Sequence, residues 1–138
     1  MQALAFVPFA PTLLLAGDAN GALLLWDVHV RRPLLRRGGA HSARGAGVLS
    51  VRVLPSGSVL TQARDGILKL WHLHVTPQEG TSQVLTEECA TFTTTDMKQL
   101  CVHLSREPSL KISTNSYNFC TMSAIPWEGV EVVAVAGP

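Results

Sequence analysis

The sequence predicts an all-β chain of four-stranded antiparallel units, and three observations predict it. An eleven-residue segment occurs twice, as Asn20-Gly21-Ala22-Leu23-Leu24-Leu25-Trp26-Asp27-Val28-His29-Val30 and as Asp65-Gly66-Ile67-Leu68-Lys69-Leu70-Trp71-His72-Leu73-His74-Val75, the two copies aligning without a gap at an offset of 45 residues. Short apolar runs alternate with Pro, Gly, Asn and Asp, the punctuation of strands and tight turns. Apolar residues make up 46% of the chain and charged residues 15%, a balance that suits buried strands and argues against disorder.

The elements follow in order. Ala3–Val7 reads as a strand, and Pro8 to Pro11 as a turn, because proline fixes φ and removes a ladder donor. Thr12–Gly17 is the second strand, Asp18 to Gly21 a tight turn, Ala22–Val28 the third strand and Arg32–Arg36 the fourth. The loop from Gly38 to Ser42 leads into the second unit, whose strands are Val48–Val53, Ser58–Gln62 and Ile67–Leu73. Its turns are Leu54 to Gly57 and Arg64-Asp65-Gly66, where Asp-Gly between apolar runs signals a hairpin with both central positions at positive φ. Thr76–Thr81 reads as a turn. The Thr-rich stretch 82–108 holds either the outer strand or an insertion before it, and Leu110–Thr114 is then the outer strand. Tyr117–Ser123 opens a third unit, with Ile125–Gly129 its turn and Val130–Val135 its second strand.

A self-match at this period, ending in a Trp-Asp-like dipeptide after a short apolar strand, is the mark of a WD-repeat β-propeller blade. The expected fold is therefore a partial propeller of about two blades plus the start of a third. Blade one spans 3–45, blade two 46–114 with an insertion at 76–108, and the third begins at 115–138. Propellers close with roughly 4–8 blades, so 138 residues are expected to be a piece of a larger disc. The apolar stretch Met1 to Leu15 lacks a basic leader and is broken by Pro8 and Pro11, so it reads as two buried strands rather than a signal peptide. No run is long enough for a membrane-spanning helix. Cys89, Cys101 and Cys120 are odd in number and scattered, a pattern that fits reduced thiols in the cytoplasm or nucleus.

Propeller blades carry a buried relay of a His before the blade, a Ser or Thr on its second strand, an Asp in the next turn and the Trp. His41, Thr61, Asp65 and Trp71 stand at those places. A buried Asp must be hydrogen-bonded, and an imidazole bridging it to the Thr hydroxyl satisfies all three groups. His41, Thr61 and Asp65 also resemble a catalytic triad, but the repeat explains each position and the nucleophile would be buried. Blade one has Ala16 and Asn20 where the hydroxyl and carboxylate belong. His72 and His74 share a strand face, with no further ligands at metal-site spacing. Arg31, Arg32, Arg36, Arg37 and Arg44 form the one charge cluster, read as a solvated outer strand or as a patch for an acidic partner. Arg64 and the Arg31–Arg37 segment are the expected partner-binding positions, since loops on a rigid scaffold carry binding. No catalytic residue, cofactor or metal ligand is expected, and the net charge of +1 gives no push toward nucleic acid or membrane.

The order Ala3-Leu4-Ala5-Phe6, then Leu14-Leu15-Ala16-Gly17, then Gly21 to Trp26, then Arg31-Arg32 resembles the first blade of the guanine nucleotide-binding protein subunit beta-like family, related to the ASTRA-associated WD-repeat proteins. Gln62-Ala63-Arg64-Asp65 resembles the second blade of that family, and Thr114 to Cys120 resembles the opening of the next. The resemblance covers most of residues 3–135 apart from 76–108. It implies a seven-bladed propeller, a non-catalytic adaptor that stabilises phosphatidylinositol 3-kinase-related kinases with telomere-maintenance-type co-chaperones, and a place in chromatin-associated assemblies. The alternatives are a G-protein β-like signalling adaptor, against which stands the expectation of no coiled-coil helix before blade one, a nucleic-acid binder using the arginines, or a hydrolytic domain using His41 or the His72–His74 pair.

Overall fold

A computed structural model describes residues 3–41, 47–77, 89–94, 96–114, 123–127 and 130–134, and every regular element among them is a β-strand. Blade one is a four-stranded antiparallel meander, β1 (Ala3–Val7), β2 (Ala10–Gly17), β3 (Leu23–Asp27) and β4 (Arg32–Arg37), in the order β1-β2-β3-β4. The first turn is tighter than Pro8 to Pro11, because β2 already begins at Ala10. Pro11 is accommodated by an irregularity in the β1–β2 register, where Val7 pairs with Ala10 but Phe6 pairs with Leu14. Asp27 ends β3: its Oδ1 accepts the amides of His29 at 3.0 Å and Val30 at 3.3 Å, and Arg31 then takes a left-handed φ of 57°.

Blade two comprises β5 (Val48–Val53), β6 (Ser58–Ala63) and β7 (Ile67–Pro77), closed on the far side of β7 by β10 (Leu110–Ser113). The expected turn at Thr76–Thr81 starts too early, since β7 runs on through Pro77. The residue equivalent to the turn-capping Asp27 is His72, which has no carboxylate to close a turn, so the strand continues. On that extension sits a hairpin drawn from the insertion, β8 (Cys89–Thr93) and β9 (Gln99–Leu104), with β9 paired to β7. The hairpin precedes β10 in the chain, and β9 and β10 both pair with β7. Chain 105–109 bulges between β9 and β10, and Ser105 and Ser109 still donate backbone N–H groups to His72 and Leu70 carbonyls at 2.8 Å.

The Asp-Gly turn also differs from expectation. Gly66 donates its N–H to the Ala63 carbonyl at 3.2 Å and only Gly66 is left-handed, at φ 74°. This is a three-residue loop, a type I turn followed by a left-handed glycine. Asp65 keeps an ordinary negative φ. Blade one repeats the geometry with Gly21 at φ 83°. Gly57, at φ 94°, serves the turn between β5 and β6, where any Cβ would collide with the Leu73 carbonyl oxygen.

One buried cluster forms the seam. Leu13, Leu15, Leu23 and Leu25 of blade one share it with Val51, Val59, Trp71 and Leu73 of blade two and with Phe92 and Val102 of the insertion hairpin. The backbone joins as well: Val48 donates to the Asp18 carbonyl and His41 to the Gly21 carbonyl, both at 2.9 Å. Thr114 donates to the Gly66 carbonyl at 2.8 Å, so the chain leaves blade two along the path by which it left blade one.

Each blade leaves one apolar face open among the described residues. Leu60, Leu68 and Leu70 of blade two are the repeat equivalents of Leu15, Leu23 and Leu25, which the seam covers, and beside them Leu110 and Ile112 are exposed. On blade one the open face carries Leu4 and Phe6, each 60% exposed, with Leu14 and Trp26. The two open faces are the two halves of the seam already built once.

The last two strands, β11 (Ser123–Trp127) and β12 (Val130–Ala134), form a separate antiparallel hairpin. Here the expected turn at Ile125–Gly129 is corrected, since Ile125, Pro126 and Trp127 are strand residues paired with Val132, Glu131 and Val130. Proline is tolerated in a strand where its missing N–H faces away from the ladder. The expected strand at 117–123 lies almost wholly outside the described residues, as does most of the Thr114–Cys120 motif.

Candidate functional site

The structure brings His41, Thr61, Asp65 and Trp71 into one hydrogen-bonded chain. His41 arrives on the loop after β4, Thr61 lies on β6, Asp65 in the turn that follows and Trp71 on β7. His41 Nδ1 is 2.9 Å from Asp65 Oδ2, His41 Nε2 is 2.8 Å from Thr61 Oγ1, and Trp71 Nε1 is 2.9 Å from the same hydroxyl. Indole N–H is only a donor, so Thr61 accepts from Trp71 and turns its own proton to His41 Nε2. The imidazole is then neutral, with Nδ1–H donating to Asp65. The second Asp65 oxygen accepts the Ile67 amide at 3.0 Å. Every polar atom of the chain has a partner, and His41 and Thr61 are fully buried. Thr61 Oγ1 already serves two partners inside the core.

Blade one lacks the set and closes its turn by another route. Asp18 Oδ1 accepts the amides of Asn20 at 2.8 Å and Ala22 at 2.9 Å. Ala22 is the repeat equivalent of Ile67, so the same amide is capped by a carboxylate from a different position.

Burial pushes the His41 pKa below the usual 6.5, against the hydrogen bond and charge of Asp65, with the Lys69 cation adding to the depression. Below that value the unfolded chain binds a proton at this site that the folded chain refuses. Stability is therefore complete above pH 6.5 and falls as pH drops from there toward the lowered folded pKa. His74 is shifted the same way, first by burial and then by His103 and His72. Thermal melts of the full-length chain between pH 7.5 and about 5 are expected to show a falling Tm. A His41→Ala, His74→Gln double variant should have a shallower slope, and an unchanged slope would assign the loss to other groups.

The arginines are not one patch. Arg31 borders the open apolar face beside Trp26 and Val28. Arg32 and Arg36 are exposed on β4, and Arg64 is exposed in the β6–β7 turn of the other blade. Arg44 lies outside the described residues. Arg37 turns the opposite way from Arg36, into the seam, where its Nη2 donates to the Leu104 carbonyl at 3.3 Å. Three further cations absent from the expected patch join it there: Lys69, Arg106 and Lys111. Lys69 had a signal in the repeat, since it replaces Leu24 of the first copy.

His72 and His74 do share a face, and the insertion adds His103 to it. The His74 and His103 rings stack 4.7 Å apart at 9°, and the His72 and His74 rings lie 5.6 Å apart. Thr76 Oγ1 lies 3.2 Å from His103 Nε2. Among the described residues no group of three or more His, Cys, Asp or Glu side chains is arranged to hold a metal ion.

Comparison with known proteins adds a likeness. No family model matches the chain. The chain is similar to ASTRA-associated protein 1. It is 27% identical to that protein of Aspergillus niger over 118 residues, covering 81% of this chain and 24% of the relative. It is 28% identical to that of Scheffersomyces stipitis over 67 residues, covering 49% of this chain and 15% of the relative. The chain thus spans a quarter or less of the length of these curated relatives.

Proposed function

We propose that the chain is part of a non-catalytic WD-repeat scaffold that holds partner proteins, acting as an adaptor in an ASTRA-type assembly in the cytoplasm or nucleus. The observation that carries this reading is the likeness, over 81% of the chain, to a protein named for its association with ASTRA. The site chemistry supports it. The His, Thr and Asp that would make a triad are committed to one another and to Trp71, and they fasten the second blade rather than face solvent. The finer form of the proposal is stabilisation of phosphatidylinositol 3-kinase-related kinases together with telomere-maintenance-type co-chaperones. Affinity purification of the full-length protein followed by mass spectrometry tests it. Recovery of kinase-assembly factors is the expected result. Their absence removes the adaptor role, and turnover of a substrate by the pure protein removes the non-catalytic one.

A further inference from the structure

Between the two blades, at the outer end of the seam, lies a cavity of ≈ 310 Å³ with four cations on its walls. Arg37 comes from the end of β4, Lys69 from β7, Arg106 from the bulge between β9 and β10, and Lys111 from β10. One carboxylate, Glu107, shares the lining. Lys69 and Lys111 are direct register partners across β7 and β10. Like charges directly opposite on neighbouring strands repel, and the carboxylates of Asp65 and Glu107 offset part of that repulsion at Lys69. Lys69 is buried, with Nζ hydrogen-bonded to the Ala40 carbonyl at 2.6 Å. Burial first, and the Lys111 charge second, pull its pKa below the usual lysine value. Two arginines and two lysines lining one cavity match the demands of a phosphate, which takes forked Arg contacts and point charges from Lys.

We propose that this cavity binds the phosphate of a phosphorylated serine or threonine on an extended segment of a partner protein, an inference that rests on the scaffold reading above. A protein source follows from the surroundings. Lys111 lies on β10, which among the described residues pairs only with β7. An extended peptide that adds beside this strand would bring its phosphate to the cavity, the mode by which sheets take up a partner's strand. Phosphorylation adds nearly two negative charges and three acceptor oxygens, enough to bridge the Lys69–Lys111 pair and reach an arginine.

The test is titration calorimetry of the full-length chain with a phosphoserine peptide carrying neutral flanks, its unphosphorylated twin, and inositol hexakisphosphate. The phosphopeptide should bind at least about tenfold more tightly than its twin, the scale of a charge-assisted contact. Arg106→Glu and Lys111→Glu should each weaken it by about tenfold or more, whereas Arg52→Glu, exposed on β5, should not. Both reversed side chains are exposed, and the two variants are read separately, so a folding defect in one leaves the other to decide. Equal binding of the twin overturns the proposal. So does an equal loss in Arg52→Glu, or binding of inositol hexakisphosphate alone. Partners recovered by affinity purification without any phosphopeptide binding would remove the pocket and leave the scaffold standing. Phosphopeptide binding without kinase-assembly factors would do the reverse.

Discussion

His41→Ala is expected to destabilise the full-length chain by on the order of 3 kcal/mol, because it orphans two buried groups at once and opens a cavity. The Thr61 hydroxyl loses its acceptor, and the Asp65 carboxylate, whose side chain is 5% exposed, keeps only the Ile67 amide. The direction of the hydrogen bonds makes the prediction specific. Both Asp65 oxygens are acceptors, one for His41 and one for Ile67. Asparagine offers one oxygen, and its NH₂ would face an N–H donor, so Asp65→Asn should cost at least about 1–3 kcal/mol despite its shape. Thr61→Ser keeps the hydroxyl and should be mild. Trp71→Phe removes one donor and should cost about 1 kcal/mol beyond the change in packing. Denaturant melts of these variants, with the His41–Asp65 double-mutant cycle, measure each term. Additive effects of His41→Ala and Asp65→Ala would mean the two side chains do not act through one another.

The parts of the fold legible in the sequence are those set by local chemistry. The 45-residue repeat, with proline and glycine at its turns, placed β1, β3, β5 and β6 within a residue or two at each end. The same repeat located the relay, since three of its four members sit at fixed offsets from the Trp-containing strand. What stayed hidden depends on contacts distant in sequence. The β8–β9 hairpin is polar and Thr-rich, and it is held by the continuation of β7 rather than by its own pattern. Two traces were present: His72 in place of the turn-capping Asp27, and alternating Leu100, Val102 and Leu104. The cationic cavity was hidden for a related reason. Its four cations come from separate segments, and only the register of the strand after the insertion sets Lys111 opposite Lys69. The arginine run showed the opposite failure, because strand alternation sends Arg36 and Arg37 to opposite faces.

Gly17→Ala is the second large effect expected, and it tests the seam rather than either blade. A Cβ at position 17 would overlap the Val48 side chain of the neighbouring blade. Val48 has no room to withdraw, because its amide is tied to the Asp18 carbonyl at 2.9 Å. Gly47 beside it approaches the Ala19 backbone so closely that a Cβ there would lie 3.1 Å from the Ala19 carbonyl oxygen. The added methyl must therefore push the blades apart along the buried cluster, at about 1–3 kcal/mol for an overpacked contact. Gly39→Ala is the control. It meets nothing within 4 Å but sits at φ 71°, so it should cost about 1 kcal/mol through backbone strain alone. A Cβ at position 17 meets the Val48 Cβ as well as its methyls, so only Val48→Gly, which removes all three atoms, should recover part of the Gly17→Ala loss, with a coupling of about 0.5–3 kcal/mol in that cycle and none with Gly39→Ala. No coupling between Gly17→Ala and Val48→Gly would place the strain at position 17 within β2 itself, and the blades would then not be in contact through this pair.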